Sequence, residues 1–224
     1  MKRRVFIVAA AGFLLFAASP YPVFADNETR KIADCVDVVK AVKAMPEEGI
    51  PQALLNNAHG IMIVPGVIKV GFVIGGRYGT GILTVRDEKG AWTDPVFVKI
   101  AGGSLGWQIG AQSTDLILVF KSKASVDGIL KGKFTLGADA SVAAGPVGRS
   151  AAGATDVTLK SEIYSYSRSR GLFAGISLDG AALTIDDDAD ASFYGKSDLN
   201  PKDIVAGKAG KRTQEVKELL ELLK

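Results

Sequence analysis

Apolar residues recur at helical spacing over residues 28–44, where Ile32, Val36, Val39 and Val42 share one face, Asp26 or Asn27 is available as N-cap, and Met45-Pro46 ends the run. This predicts an amphipathic first helix with a solvent-facing side. A second, short helix starts at Pro51, carries Leu54 and Leu55, and ends near His59-Gly60. From Ile61 the period changes to two. Strands are predicted at 61–64, 68–74, 78–86, 96–100, 105–111 and 116–120, with Asp87-Glu88-Lys89-Gly90 as a turn. Residues 122–130 read as a crossover helix, followed by strands around 135–143, 155–167 and 172–179, and by a strand at 183–185 that pairs with its neighbour. Asn200-Pro201 opens another short helix, and 213–223 forms a last one whose Val216, Leu219, Leu220 and Leu223 make an apolar face for the sheet or, as the alternative, for a partner. The predicted fold class is α+β: a curved, mostly antiparallel, glycine-rich, half-barrel-like sheet with N-terminal, crossover and C-terminal helices packed on it.

Two segments are bare on one side. Side chains alternate faces along a strand, so Leu105, Trp107, Ile109 and Ala111 oppose Gly102, Ser104, Gly106, Gln108, Gly110 and Gln112. Over 163–180 one face carries Tyr164, Tyr166, Arg168, Arg170 and Leu172, whereas the other carries Ser165, Ser167, Ser169, Gly171, Gly175 and Ser177, with Phe173 its one large group. Such rows admit the close approach of another backbone or of a flat ligand. The opposite face, two arginines beside two tyrosines, makes a candidate anion site.

The first residues change the charge picture. Lys2, Arg3 and Arg4 precede an apolar run over 5–18, then Ser19-Pro20-Tyr21-Pro22 and Val23-Phe24-Ala25, the pattern of a secretory signal peptide cleaved after Ala25. The run is shorter than the roughly 20 residues a spanning helix needs. Removing its three cations lowers 27 basic residues to 24, equal to the 24 acidic ones. A neutral mature chain argues against nucleic acid as partner and confines any anion site to a local patch. Cys35 is the single cysteine, so no intramolecular disulfide forms. It follows Asp34, ten residues past the cleavage point, which excludes a lipoprotein reading and leaves a buried helix position. Residues 26–224 are expected to form one domain, located in the periplasm or outside the cell, soluble or peripherally attached to a membrane.

Catalytic motifs fail on context. Gly102-Gly103-Ser104-Leu105-Gly106 spells the hydrolase nucleophile elbow, but a strand follows it instead of a helix, and His59, the single histidine, lies upstream. Asp186, Asp188 and Asp190 have the opening spacing of a calcium loop, yet Ala191 replaces its glycine and Ser197 its bidentate glutamate, so a solvated acidic turn is expected. Neither a zinc cluster nor a nucleotide loop is spelled out. No catalytic residue, metal or cofactor is therefore assigned. What remains is basic: Lys121, Lys123, Lys131 and Lys133 at the two ends of the crossover helix, and Arg149, Arg168 and Arg170 elsewhere. Arginine suits bidentate phosphate contacts and lysine point-charge attraction, so these residues with Tyr164 and Tyr166 are the candidate lipid-phosphate ligands.

Ser165-Tyr166-Ser167-Arg168-Ser169-Arg170-Gly171-Leu172-Phe173-Ala174-Gly175-Ile176-Ser177-Leu178 resembles the signature of the SYLF domain, also called the Ysc84 or DUF500 family. Further blocks are similar: Ile63-Val64-Pro65, 69–76, 102–115 and Phe193-Tyr194-Gly195, in family order over 33–205. The resemblance implies binding of phosphoinositides assisted by an N-terminal amphipathic helix and, in a yeast member, of actin. An exported bacterial protein meets neither, so the transferable property is recognition of an anionic phospholipid or membrane surface. The first helix departs from that model, since its apolar face lacks Trp and Phe and Glu28, Asp34 and Asp37 offset Arg30, Lys31, Lys40 and Lys43. The sequence thus points to a non-enzymatic lipid-binding protein, with an envelope assembly module that binds a protein partner as the alternative. It leaves the oligomeric state open.

Overall fold

Three predicted strands on each side of the Asp87–Gly90 turn merge into one. In the structure, a computed structural model that describes residues 25–44, 50–147, 160–169, 172–210 and 212–224, β1 runs Gly60–Val85 and β2 runs Val96–Phe120. They pair antiparallel over nearly their whole length, from Gly60 opposite Phe120 to Leu83 opposite Val96. Glycines that read as strand ends are places where a continuous strand bends. Register shifts occur between Val64 and Val67 and between Gly71 and Val73, and Gly66 takes φ +61° in the first of them.

The bends fold β1 across itself. A Cβ on Gly81 would lie 2.0 Å from the Ile63 carbonyl oxygen, and one on Gly79 2.8 Å from Val64. Only glycine lets the two halves approach so closely. The ends of the strand then meet, the Arg86 amide donating to the His59 carbonyl at 2.8 Å.

The remaining strands are β3 (Phe134–Thr135), β4 (Val142–Ala144), β5 (Ile163–Ser169), β6 (Leu172–Gly175) and β7 (Ala182–Ile185). On the edge of β2 away from β1, β7 pairs at 98–101 and β5 at 115–120. Beyond β7 lies β3, and the far edge of β5 is shared by β6 and β4, the latter paired parallel. The sheet is therefore curled and mostly antiparallel, as expected. Two details differ from expectation: 135–143 is broken into short pieces, and 183–185 pairs with β2 and β3 instead of its sequence neighbour β6.

Helices are α1 (Ala25–Lys43), α2 (Gln52–Asn56), α3 (Lys123–Ile129), α4 (Asp187–Tyr194), α5 (Pro201–Val205) and α6 (Gln214–Leu222). Side-chain oxygens of Ser122, Asp186, Asn200 and Thr213 cap the last four. α4 replaces the expected solvated turn. The acidic run suits a helix start because carboxylates there meet free amides and the positive end of the dipole. Asp186 also pairs with Lys99 at 2.8 Å, while Asp190 turns inward and accepts the Phe97 amide at 2.9 Å. The three carboxylates consequently do not converge, and no metal-ligand cluster occurs among the described residues.

The apolar face of α1 belongs to the core. Ile32, Cys35, Val36, Val39 and Val42 are buried, and α6 packs beside them through buried Val216, Leu219 and Leu220. Each aliphatic side chain so buried contributes about 1.5–3 kcal/mol, so this face is committed to the fold and is not free for a membrane. No helix among the described residues is long and apolar enough to cross one. The expected signal peptide lies outside the described residues except for Ala25, at the start of α1.

Two predictions follow from buried titratable groups. Burial, reinforced by Asp187 and Asp186, raises the Asp190 carboxyl to about 8, whereas the unfolded chain titrates near 4. The folded state thus holds a proton that the unfolded state releases, and stability falls as pH rises from about 4 to 8. Urea midpoints of Asp190→Asn, which keeps the acceptor for Phe97, should vary less between pH 5 and 9 than those of the parent; equal slopes would refute the assignment. The Cys35 thiol, wholly buried, is driven far up by desolvation. A thiol reagent should label it only at the rate of unfolding, and fast stoichiometric labelling at neutral pH would contradict its placement.

Candidate functional site

Strand β5 carries the signature, and its geometry begins at Ser165. There β4 hands over to β6 along one edge, and the Ser165 carbonyl accepts both the Gly145 amide (3.0 Å) and the Ile176 amide (3.3 Å). Its hydroxyl, completely buried, lies within donating distance of the Ala143 and Ile176 carbonyls. A Cβ on Gly175 would strike the Gly145 carbonyl oxygen at 2.2 Å, and one on Gly145 the Tyr166 ring at 2.0 Å. The serine and glycine row is thus consumed by strand packing at this level.

The arginine and tyrosine face is likewise structural in its contacts. Tyr166 is fully buried, and Tyr164, at 4% exposure, accepts the Ser161 amide with its hydroxyl at 3.0 Å. Arg168 donates through Nε (2.9 Å) and Nη2 (2.6 Å) to one oxygen of Asp115, whose other oxygen accepts the Gly66 amide at 3.1 Å. This bridge ties β5 to the bend in β1. The expected open arginine–tyrosine surface is corrected accordingly: the rings are in the core and the Arg168 charge is met by a carboxylate.

The other predicted residues do not join it. Lys121 precedes α3, and Lys123, its first residue, pairs with Asp127 at 2.9 Å. Lys131 and Lys133 stand exposed beyond the end of that helix. Arg149 and Arg170 lie outside the described residues.

A different pair of cations comes together. Val67, Lys69 and Arg77 of β1, Thr114 and Leu116 of β2, Ser167 of β5 and Ile176, Ser177 and Leu178 after β6 line an open cavity of about 290 Å³ at the mouth of the curl. Lys69 and Arg77 are the only charged residues in the β1 sequence. Eight residues apart, they have the same parity, and on a straight strand they would stand about 26 Å from each other. The self-crossing of β1 brings them to one cavity. Arg77 donates through Nη1 to the Ser177 carbonyl at 3.5 Å, a long contact, while its Nε is buried with no hydrogen-bond partner among the described residues. Burial pulls the pKa of this guanidinium down, although arginine keeps its charge at neutral pH. Among the described residues no carboxylate lines the cavity, and Asp179 stands just behind it, bound by the Ser177 hydroxyl.

The mouth therefore offers two cations, the hydroxyls of Thr114 and Ser167, and four apolar walls (Val67, Leu116, Ile176 and Leu178), while the Ser177 hydroxyl donates to Asp179 at 2.7 Å. This arrangement can hold an anion with an apolar extension. Sequence reasoning passed over Lys69 and Arg77 because each looks like an isolated strand charge. Their shared parity within an otherwise uncharged strand was the available signal.

Comparison with known proteins agrees with the signature. The family model described as Ysc84, Las17-binding protein actin regulator, matches residues 101–224, more than half of the chain. The chain is 35% identical over 208 residues to SH3 domain-containing YSC84-like protein 1 of Xenopus laevis, covering 92% of this chain and 62% of that protein. To protein YSC84 of Saccharomyces cerevisiae it is 34% identical over 195 residues, 85% of this chain and 41% of that one. LAS seventeen-binding protein 3 of the same yeast is 33% identical over 195 residues, again 85% of this chain and 42% of its own length. The chain thus spans between about two fifths and three fifths of these relatives. With the family model matched from residue 101, within β2, to residue 224, and the signature seated on β5, the chain belongs to the Ysc84 family.

Proposed function

We propose that this is a non-enzymatic lipid-binding protein that takes the phosphate of an anionic phospholipid into the mouth of its curled sheet. The observation that carries the reading is the pairing of Lys69 and Arg77 in a cavity that no carboxylate lines among the described residues. A partly buried guanidinium with an unsatisfied donor loses on the order of 1–3 kcal/mol relative to a satisfied one, and phosphate oxygens supply the missing acceptors. Hydroxyls of Thr114 and Ser167 extend the polar end, while the apolar walls suit the glycerol and first acyl carbons. If the expected signal peptide acts, the lipid surface is one outside the cytoplasm. The formal neutrality of the cleaved chain makes recognition local, so binding should weaken with salt only as far as two phosphate-facing cations require.

A second reading is favoured by the comparisons. The family is described by a protein partner, Las17, and by actin regulation, so a domain of this kind can serve as an assembly module that holds a protein. Partner recovery that is indifferent to lipid and unaffected by changes in the mouth would favour it.

Vesicle co-sedimentation tests the first reading. The protein should sediment with phosphatidylglycerol-containing vesicles and not with phosphatidylcholine alone, and Lys69→Ala/Arg77→Ala should weaken binding at least about tenfold, the loss of one or two charged hydrogen bonds. Arg168→Ala should lower stability instead, because it frees Asp115 beside the bend. Equal sedimentation with both vesicle types, or full binding by the folded double variant, would sink the proposal.

A further inference from the structure

At the opposite end of β1 the chain turns back through residues 86–95, and α6 lies against this turn. Trp92 is the hinge between them. Its indole Nε1 donates to the Leu223 carbonyl at 2.7 Å, and its ring carries the Arg86 guanidinium 4.3 Å from the centroid. Arg86 is held from a second direction, donating through Nη1 to the Gly90 carbonyl at 2.8 Å, while its Nε is buried without a hydrogen-bond partner among the described residues. An open cavity of about 420 Å³ is lined by Arg86 and Trp92 together with Arg212, Lys217, Glu221 and Lys224.

The charges around it are unequal. Arg212 pairs with Asp94 and Lys224 with Glu221. Lys217, exposed on α6, and Arg86 have no carboxylate partner among the described residues. Two uncompensated cations therefore flank one cavity, and one of them is already immobilised by the indole and a carbonyl. A guanidinium fixed in this way loses little further freedom when it takes a planar pair of oxygens, and the neighbouring ammonium adds point-charge attraction. Residues lining this cavity and the mouth do not overlap.

We propose that the cavity between the β1–β2 turn and α6 is a second anion site, one that binds a phosphate group through Arg86 and Lys217. The phosphate belongs either to a free solute or to a lipid headgroup, since both present the same oxygens. This inference is independent of lipid binding at the mouth.

Trp92 reports on the site. In a Trp107→Phe protein, which leaves Trp92 as the sole tryptophan, and with Lys69→Ala/Arg77→Ala added to silence the mouth, its fluorescence is followed during titration. Inorganic phosphate at constant ionic strength should give a saturable change that chloride does not, and Lys217→Ala, a change on an exposed helix position, should shift the midpoint at least fivefold. Arg86→Gln should abolish the response. Saturation by free phosphate assigns a solute ligand, whereas a response confined to phosphatidic acid vesicles, absent with phosphatidylcholine, assigns a headgroup. No saturable change with phosphate or with either vesicle, or identical midpoints for the parent and Lys217→Ala, would overturn the site, whatever the mouth binds.

Discussion

The contact on which the rest depends is the passage of β1 over itself at Gly81 and Ile63. A side chain at residue 81 would occupy the space of the Ile63 carbonyl, so the crossing requires glycine there. Once it is made, a flat ribbon of two long strands becomes a curl. Its ends close through His59 and Arg86, its inner surface takes the helices, and its open side becomes a cavity. The bulges at 64–67 and 71–73 place the bend. The Arg168–Asp115 bridge, through the Gly66 amide, holds one of them against β5.

The family signature acquires a physical meaning from this arrangement. Ser165 satisfies a junction where two strands share one edge, and Gly175 and Gly145 let backbone and the Tyr166 ring meet at distances that exclude a Cβ. Ser167 and Ser177, from the same stretch, face the mouth. One segment thus closes the sheet with one part and borders the cavity with another. A signature of this form is compatible with relatives that are named for protein partners, because the closure serves any surface built upon it.

Several of the charges that bridge elements are met within the protein. Lys99, Arg168 and Arg212 each meet a carboxylate on a neighbouring element, and α4 turns an acidic run into a capped helix. Against that background the unmatched cations stand out by their surroundings, not by their number: Lys69 and Arg77 in one cavity, Arg86 and Lys217 in another. These are where an anion gains most.

Much of the fold was legible from local pattern. Helical spacing placed Ile32, Val36, Val39 and Val42 on a buried face of α1, period-two alternation marked the residues of β1 and β2, and the signature on 165–178 pointed to the family, because each of these depends on neighbours in sequence. The continuity of β1 through Gly66 and Gly71 was not legible, since a glycine that ends a strand and one that bends it look alike until the strand has something to bend around. Nor was the helix at 187–194, whose Asp190 is pulled inward by the Phe97 amide of a distant strand. The candidate site was the least legible of all. Arg168 advertised an anion site beside two tyrosines, but Asp115, 53 positions away, claims its guanidinium, while Lys69 and Arg77 share nothing in sequence except parity. Sequence determined which residues lie on the same side of a strand; only the closure of the sheet decided which of those sides face each other, because that is settled by contacts between segments that no local periodicity connects.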